Sequence, residues 1–258
     1  MLCVVDNVLG VTQLHDVVYI VCDWYSIISR FNAATHQRLT DIVVKDLRSP
    51  WDIVACERTS QVYVADYGKC IWRVSSDGED IKRWLPKSPS DTLKPWTLSV
   101  TSTRLVVTSR DTHQLIQFDA VGDELRRVQL PDDMVLQHAV ESPTGTFIVS
   151  HINEQLRQHQ VSEVDTGGEV LRQFSGSHLP SLGDIQHVAI DSHGNILVAD
   201  TENRRILLLD AQLTLRRVVV DERQLNYGPR RLCYKEQSGQ LLVALDRGDV
   251  AVFDVLRR

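Results

Sequence analysis

The chain has 258 residues, 43% of them hydrophobic and 24% charged, with a net charge of −6. This is the composition of a globular protein long enough to bury a sizeable core, and the acidic total argues against a generally basic nucleic-acid binder. Thirteen Gly and eight Pro exclude a collagen-like or linker-rich chain, and no apolar run approaches the ~18–20 residues of a membrane helix.

The opening MLCVVDNVLG carries an acidic residue early and no basic stretch, so it does not read as a signal peptide. Five Cys (Cys3, Cys22, Cys56, Cys70, Cys233) are odd in number and scattered, with no CxxC pair. They speak against a disulfide framework or a zinc site and for a reducing, cytoplasmic setting. Helical periodicity is nearly absent. Instead, 33 Val fall in short apolar runs separated by turn clusters, the pattern of an all-β sandwich, barrel or propeller.

The runs repeat. LGVTQLH (9–15) opens the first unit, followed by PWDIVAC (50–56), PWTLSVT (95–101), QHAVESP (137–143), QHVAIDS (186–192) and PRRLCYK (229–235). Each is followed by a second run: VYIVCDW, QVYVADY, RLVVTSR, TFIVSHI, NILVADT and QLLVALD. Third runs such as SIISRFN, CIWRVSS and RILLLDA come next, and five units add a fourth, such as DIKRWLP, ELRRVQL, EVLRQFS and TLRRVVV. Aligning Gly10, Trp51, Trp96, His138, His187 and Arg230 gives spacings of 41, 45, 42, 49 and 43 residues. Six such units of four short strands describe one all-β domain over 1–258, a six-bladed β-propeller. Gly-containing turns fit the hairpins: SDGE, VGDE and TGGE between third and fourth strands, and PTGT, SHGN and QSGQ between first and second. The last unit stops after its third strand, and LCVVD (2–6) stands spare at the other end. The N-terminal strand is therefore expected to complete the sixth blade and close the ring.

The fifth unit, HVAIDSHGNILVADTENRRILLLD (187–210), resembles the NHL repeat in its apolar first strand, Asp-x-x-Gly turn, Val-Ala-Asp second strand and Asn-Arg before the third. VYVADYGKCIWRVSSDG (62–78) in the second unit is similar, and the other four units share only the apolar spacing. The resemblance implies a propeller like those at the C-termini of TRIM-type proteins, which are interaction modules for RNA or protein.

Three sets of residues are candidates for function. The Asp that ends the second run (Asp23, Asp66, Asp200) has a structural reading, capping a turn and pairing Lys69 or Arg204/Arg205 just ahead. His138 and His187 open two first strands, and His151 ends a second strand. They suit hydrogen-bonded core positions better than a zinc site, which wants a further strong ligand. Enzymes with six blades supply two comparisons. Lactonase-like propellers hold calcium with Glu, Asn and Asp from strand starts, where this chain offers Asp52, Thr97, Ala139, Val188 and Arg231. Peptide-amidating lyases use three His, where two align here. No Gly-x-Ser-x-Gly, His-Glu-x-x-His or phosphate loop occurs.

The third set is aromatic and basic. Trp24, Tyr25 and Tyr67 follow second strands, and Trp51 and Trp96 open first strands. Arg204, Arg205, Arg230 and Arg231 map to the same face of units five and six, with His138, His151 and His187 in units four and five. The Arg pairs 126–127 and 216–217 fall on outer-rim strands. One face is thus expected to be aromatic over units one to three and basic over units four to six, and aromatics with Arg are the residue types enriched at binding hot spots. These twelve residues make the chain, on this reading, a non-enzymatic scaffold for a protein or peptide. Single-stranded RNA on the same face is one alternative, and a metal-dependent lactonase- or lyase-like enzyme at the central channel is the other. No cofactor, bound metal or membrane partner is expected, and the isolated domain is expected to be monomeric.

Overall fold

A computed structural model describes residues 2–3, 7–88, 93–101, 103–176 and 182–255, the first two by their backbone. Among the described residues, the strands form six antiparallel four-stranded sheets and no helix. Blade one is Val8–Leu14, Val17–Cys22, Ile27–Asn32 and Ile42–Val43. Blade two is Pro50–Cys56, Gln61–Asp66, Cys70–Ser75 and Ile81–Leu85. Blade three is Leu98–Val100, Arg104–Ser109, Gln114–Asp119 and Glu124–Gln129. Blade four is Met134–Glu141, Phe147–Asn153, Gln158–Val164 and Val170–Phe174. Blade five is Ile185–Ile190, Ile196–Asp200, Arg205–Leu209 and Leu215–Val220. Blade six is Pro229–Lys235, Gln240–Leu245 and Asp249–Asp254, completed by Leu2–Cys3 from the N-terminus.

First strands of successive blades touch one another around the ring, and blade six touches blade one. The N-terminal strand pairs antiparallel with the last one, Leu2 opposite Val250 and Cys3 opposite Asp249, so the expected closure is present. Residues 4–6 of the closing segment lie outside the described residues.

Burial grades outward. Second strands such as Ile196–Asp200 are buried throughout, because each is sandwiched within its own sheet and packed against the next blade on both faces. That is why they read as continuous apolar runs rather than alternating ones. Fourth strands are exposed, Glu124–Gln129 along nearly its whole length. Apolar clusters fill the space between neighbouring blades; one joins Tyr63, Ile71 and Trp84 of blade two to Leu105, Ile116 and Phe118 of blade three. Gly168 takes φ +94 in its turn, and a Cβ there would lie 2.1 Å from the Gln129 carbonyl oxygen of the preceding blade. Only glycine fits that position.

One detail of the first strands sets the geometry of the centre. The pairing of first with second strand slips by one residue between Val8 and Gly10, Pro50 and Asp52, Leu136 and His138, Ile185 and His187, and Pro229 and Arg231. In blade three, Trp96 and Thr97 both bond the backbone of Thr108. Each first strand therefore begins with a β-bulge, two residues opposing one. The extra residues are Leu9, Trp51, Trp96, Gln137, Gln186 and Arg230, and the level below them is Gly10, Asp52, Thr97, His138, His187 and Arg231.

Candidate functional site

The propeller has two faces. First strands begin and second strands end on the entry face; the hairpins joining first to second strands lie on the opposite, hairpin face. The bulge corrects the expected alignment. His138 and His187 are level with Asp52, Thr97 and Arg231, not with Trp51, Trp96 and Arg230. Apolar runs locate the strands but not the register at their first residues, so the alignment matched the bulge residue in blades two, three and six and its successor in blades one, four and five.

The lower level forms a buried polar plug. Arg231 is 2% exposed and its Nε lies 3.6 Å from Asp52 Oδ1, while its Nη1 donates to the Arg230 carbonyl. Asp52 also accepts from the backbone N–H groups of Ile53 and, across the blade boundary, Leu98 at 2.8 Å. His138 accepts at Nδ1 from the Val188 N–H of blade five and donates from Nε2 to the Leu98 carbonyl of blade three. Its ring stacks on His187 at 3.6 Å. Thr97 Oγ1 donates to the Gln137 carbonyl. Asp52, Thr97 and His138 each tie one first strand to the next, Arg231 of blade six reaches past blade one to Asp52 of blade two, and Gly10 contributes by absence: a Cβ there would lie 2.9 Å from the Ile53 nitrogen.

Burial moves the charges of the plug toward neutrality. Desolvation raises the Asp52 carboxyl to about 6 despite Arg231, and lowers Arg231 to about 10 despite Asp52. Burial pushes His138 down to about 3, and His187 well below the usual histidine range with help from His138 and Arg231. Both imidazoles are therefore neutral near pH 7.

Ligand atoms of Asp52, His138 and His187 lie within 4.8 Å of one another, a grouping that alignment had hidden. The donor chemistry does not suit a divalent cation. Both His138 nitrogens are committed to backbone groups, and the Asp52 carboxylate already accepts two backbone N–H groups with the Arg231 guanidinium 3.6 Å away. A cation would have to displace both, beside a fixed positive charge.

Of the twelve residues expected on the entry face, six are buried: Trp96, in the aromatic cluster described below, and five polar residues. His138, His187 and Arg231 belong to the plug. His151 is fully buried in blade four, with Nε2 2.9 Å from Ser162 Oγ. Arg205 donates from Nε to Asp200 at 2.7 Å; Asp200 is fully buried and also takes the Gly183 N–H and the Asn203 amide. Asp66 similarly accepts from Ser49 N–H at 2.8 Å. The Asp residues of blades two and five are thus turn latches, as their positions implied. Alignment carries Arg205 and Arg231 to the entry face, but Arg205 is taken inward by Asp200, the local pairing its position implies, and Arg231 by Asp52 of blade two.

The aromatic half is assembled. Trp51, Tyr67 and Trp96 form one cluster, with centroid distances of 4.5 Å (Trp51–Trp96), 5.2 Å (Tyr67–Trp96) and 5.7 Å (Trp51–Tyr67). Trp96 is largely buried within it, while Tyr67 stands exposed. Arg230 lies over Trp51 at 5.4 Å and Arg110 over Trp96 at 5.0 Å. Arg110 had not been singled out, although it follows a second strand, as Trp24 and Tyr67 do. Trp24 is 78% exposed and takes φ 63, a conformation unfavourable for a bulky residue; Tyr25 beside it is also exposed. The half expected to be basic is mixed instead. Exposed Arg204 shares a hollow with Asp184, Glu202, Asp246 and Arg247, and Asp23, Asp246 and Asp184 all act on the Arg230 charge.

No protein-family profile matches the chain, and no curated protein matches it in sequence. Among solved structures it is similar to a chain of hydrazine synthase from Kuenenia stuttgartiensis, with a TM-score of 0.71 and 16% identity over 96% of this chain and 84% of that one. At that identity the likeness shows the propeller fold alone. Among the described residues, no helix is long and apolar enough to cross a membrane.

Proposed function

We infer that the chain is a non-enzymatic interaction module that takes a protein or peptide partner on the entry face. The observation that carries this reading is the Trp51–Tyr67–Trp96 cluster flanked by Arg230 and Arg110. Clustered aromatics next to arginine are what binding hot spots are made of. Trp24 adds an exposed aromatic anchor, held at the positive-φ position that the turn between second and third strands has in every blade. The NHL-like segments 187–210 and 62–78 support the same reading, since such propellers are interaction modules.

The partner segment carries carboxylates to meet Arg110 and Arg230 and apolar or aromatic side chains to meet the cluster. Arginine forks recognise carboxylates in two-pronged contacts. The test is selection from a displayed random-peptide library on the purified protein, with oligo(U) and oligo(A) titrated in parallel at low salt. Acidic–aromatic peptides should be enriched, and their binding should be lost in Trp51→Ser. RNA binding that is lost in the same variant, with no peptide enriched, would replace the peptide reading with the single-stranded RNA one, which uses the same stacking chemistry.

A further inference from the structure

The channel below the plug opens on the hairpin face as a cavity of about 520 Å³, within the ~300–1,000 Å³ of small-molecule sites. Alternation along the first strands turns every second residue toward it. Below the plug level these are Thr12, Val54, Ser99, Val140, Ala189 and Cys233, all lining the cavity. His187 closes its inner end. Four buried polar atoms lining it make no hydrogen bond within the protein: Gln13 Oε1 and Glu141 Oε2 toward the hairpin face, and Ser99 Oγ and His187 Nδ1 deeper in, the last two on residues only 7% exposed. Buried polar atoms are nearly always partnered. The deeper two mark where a ligand's polar end belongs.

We propose that this channel binds a small neutral molecule with an apolar body and one hydrogen-bonding end, of the phenol or indole type, whose polar group meets His187 and Ser99. Neutrality follows from the charges around the cavity. At the inner end, Asp52 and Arg231 offset each other, and both imidazoles are uncharged. At the mouth, Glu57 pairs with Lys235 and Glu141 with Arg104, and the one further charge lining the cavity, Arg58, is exposed to solvent. A charged ligand would give up its hydration with no free counter-charge at depth to replace it. The apolar body is matched by Val54, Val140 and Ala189. This site faces away from the aromatic cluster and stands or falls independently of it.

The test is calorimetric titration of the purified protein with phenol, indole and 2-naphthol. At least one should bind one-to-one with Kd below about 1 mM. Val54→Trp and Ala189→Trp, each at a half-buried wall position, should fill the cavity and weaken binding at least tenfold with the fold retained by circular dichroism. His187→Leu should weaken it severalfold, and Trp51→Ser should leave it unchanged. The proposal is overturned if none of the three probes saturates, if binding survives both filling variants, or if it is lost in Trp51→Ser instead.

Discussion

The plug shows how much rests on single side chains. Arg231 and Asp52 are both 2% exposed, so removing either leaves a charge in the interior with no counter-charge. Such truncations typically cost about 3–5 kcal/mol, whereas replacing both partners together is often close to neutral. Arg231→Met should therefore lower the urea midpoint sharply, and Arg231→Met with Asp52→Leu should recover part of the loss. A double variant at least as unstable as the sum of the singles would show that the two do not act as a pair. The buried histidines give a pH dependence of definite sign. His138, His151 and His187 are neutral in the folded protein, the first two lowered to about 3 and about 4 by burial, while the unfolded chain takes up protons below about 6.5. Their contribution is complete above about pH 6.5 and is lost as the pH falls. Asp52, raised to about 6, acts oppositely, since the folded state holds its proton between about 4 and 6. Three groups against one leave about two net protons taken up on unfolding, each worth about 1.4 kcal/mol per pH unit. Chemical denaturation between pH 7 and 4.5 should show stability falling, and a flat or rising profile would contradict the burial of these rings.

At the scale of strands, most of the fold was legible because the signals were local. Apolar runs, turn glycines and a repeat of about 43 residues fix the number and order of strands. The missing fourth strand of the last unit announced the closure. The bulge before each ring position was not legible, since it changes register without changing composition. An alignment one residue out at half of the strand starts hid the level shared by Asp52, His138, His187 and Arg231, and the bulge is the reason Trp51 and Arg230 lie on the face while their successors lie in the channel. Closure itself is open to measurement. Deleting residues 1–6 should bare the edge of Asp249–Asp254 and invite strand addition. A loss of several kcal/mol, out of the ~5–15 kcal/mol typical of a domain, and concentration-dependent aggregation are expected. A variant melting within a degree or two of the parent would mean that the ring does not depend on this strand.

For the whole molecule, the ring puts different chemistry on its two sides. The entry face displays Trp24, Tyr25, Trp51 and Tyr67 with Arg110 and Arg230, backed by the largely buried Trp96, and the plug beneath it separates this surface from the channel that opens opposite. The aromatic half of the face was readable from the repeat positions of its residues. Its basic half was not: Arg231 finds Asp52, a buried carboxylate that only the assembled fold brings to it, while Arg205 is drawn inward by Asp200, the local pairing that its position implied. On the rim, Arg216 pairs with Asp210 at 3.1 Å, Arg217 reaches the Val255 carbonyl of the neighbouring blade, and Arg127 pairs with Glu124 of its own strand. They supply a control of equal charge. The most direct measurement compares the affinity of a selected acidic–aromatic peptide for Arg110→Glu/Arg230→Glu with that for Arg126→Glu/Arg216→Glu, two variants with the same net charge. Recognition at the aromatic cluster requires the first to lose more than tenfold, about 1.4 kcal/mol, and the second to stay close to the parent. Equal losses in both would reduce the binding to diffuse electrostatics, and no loss in either would place the partner on another surface.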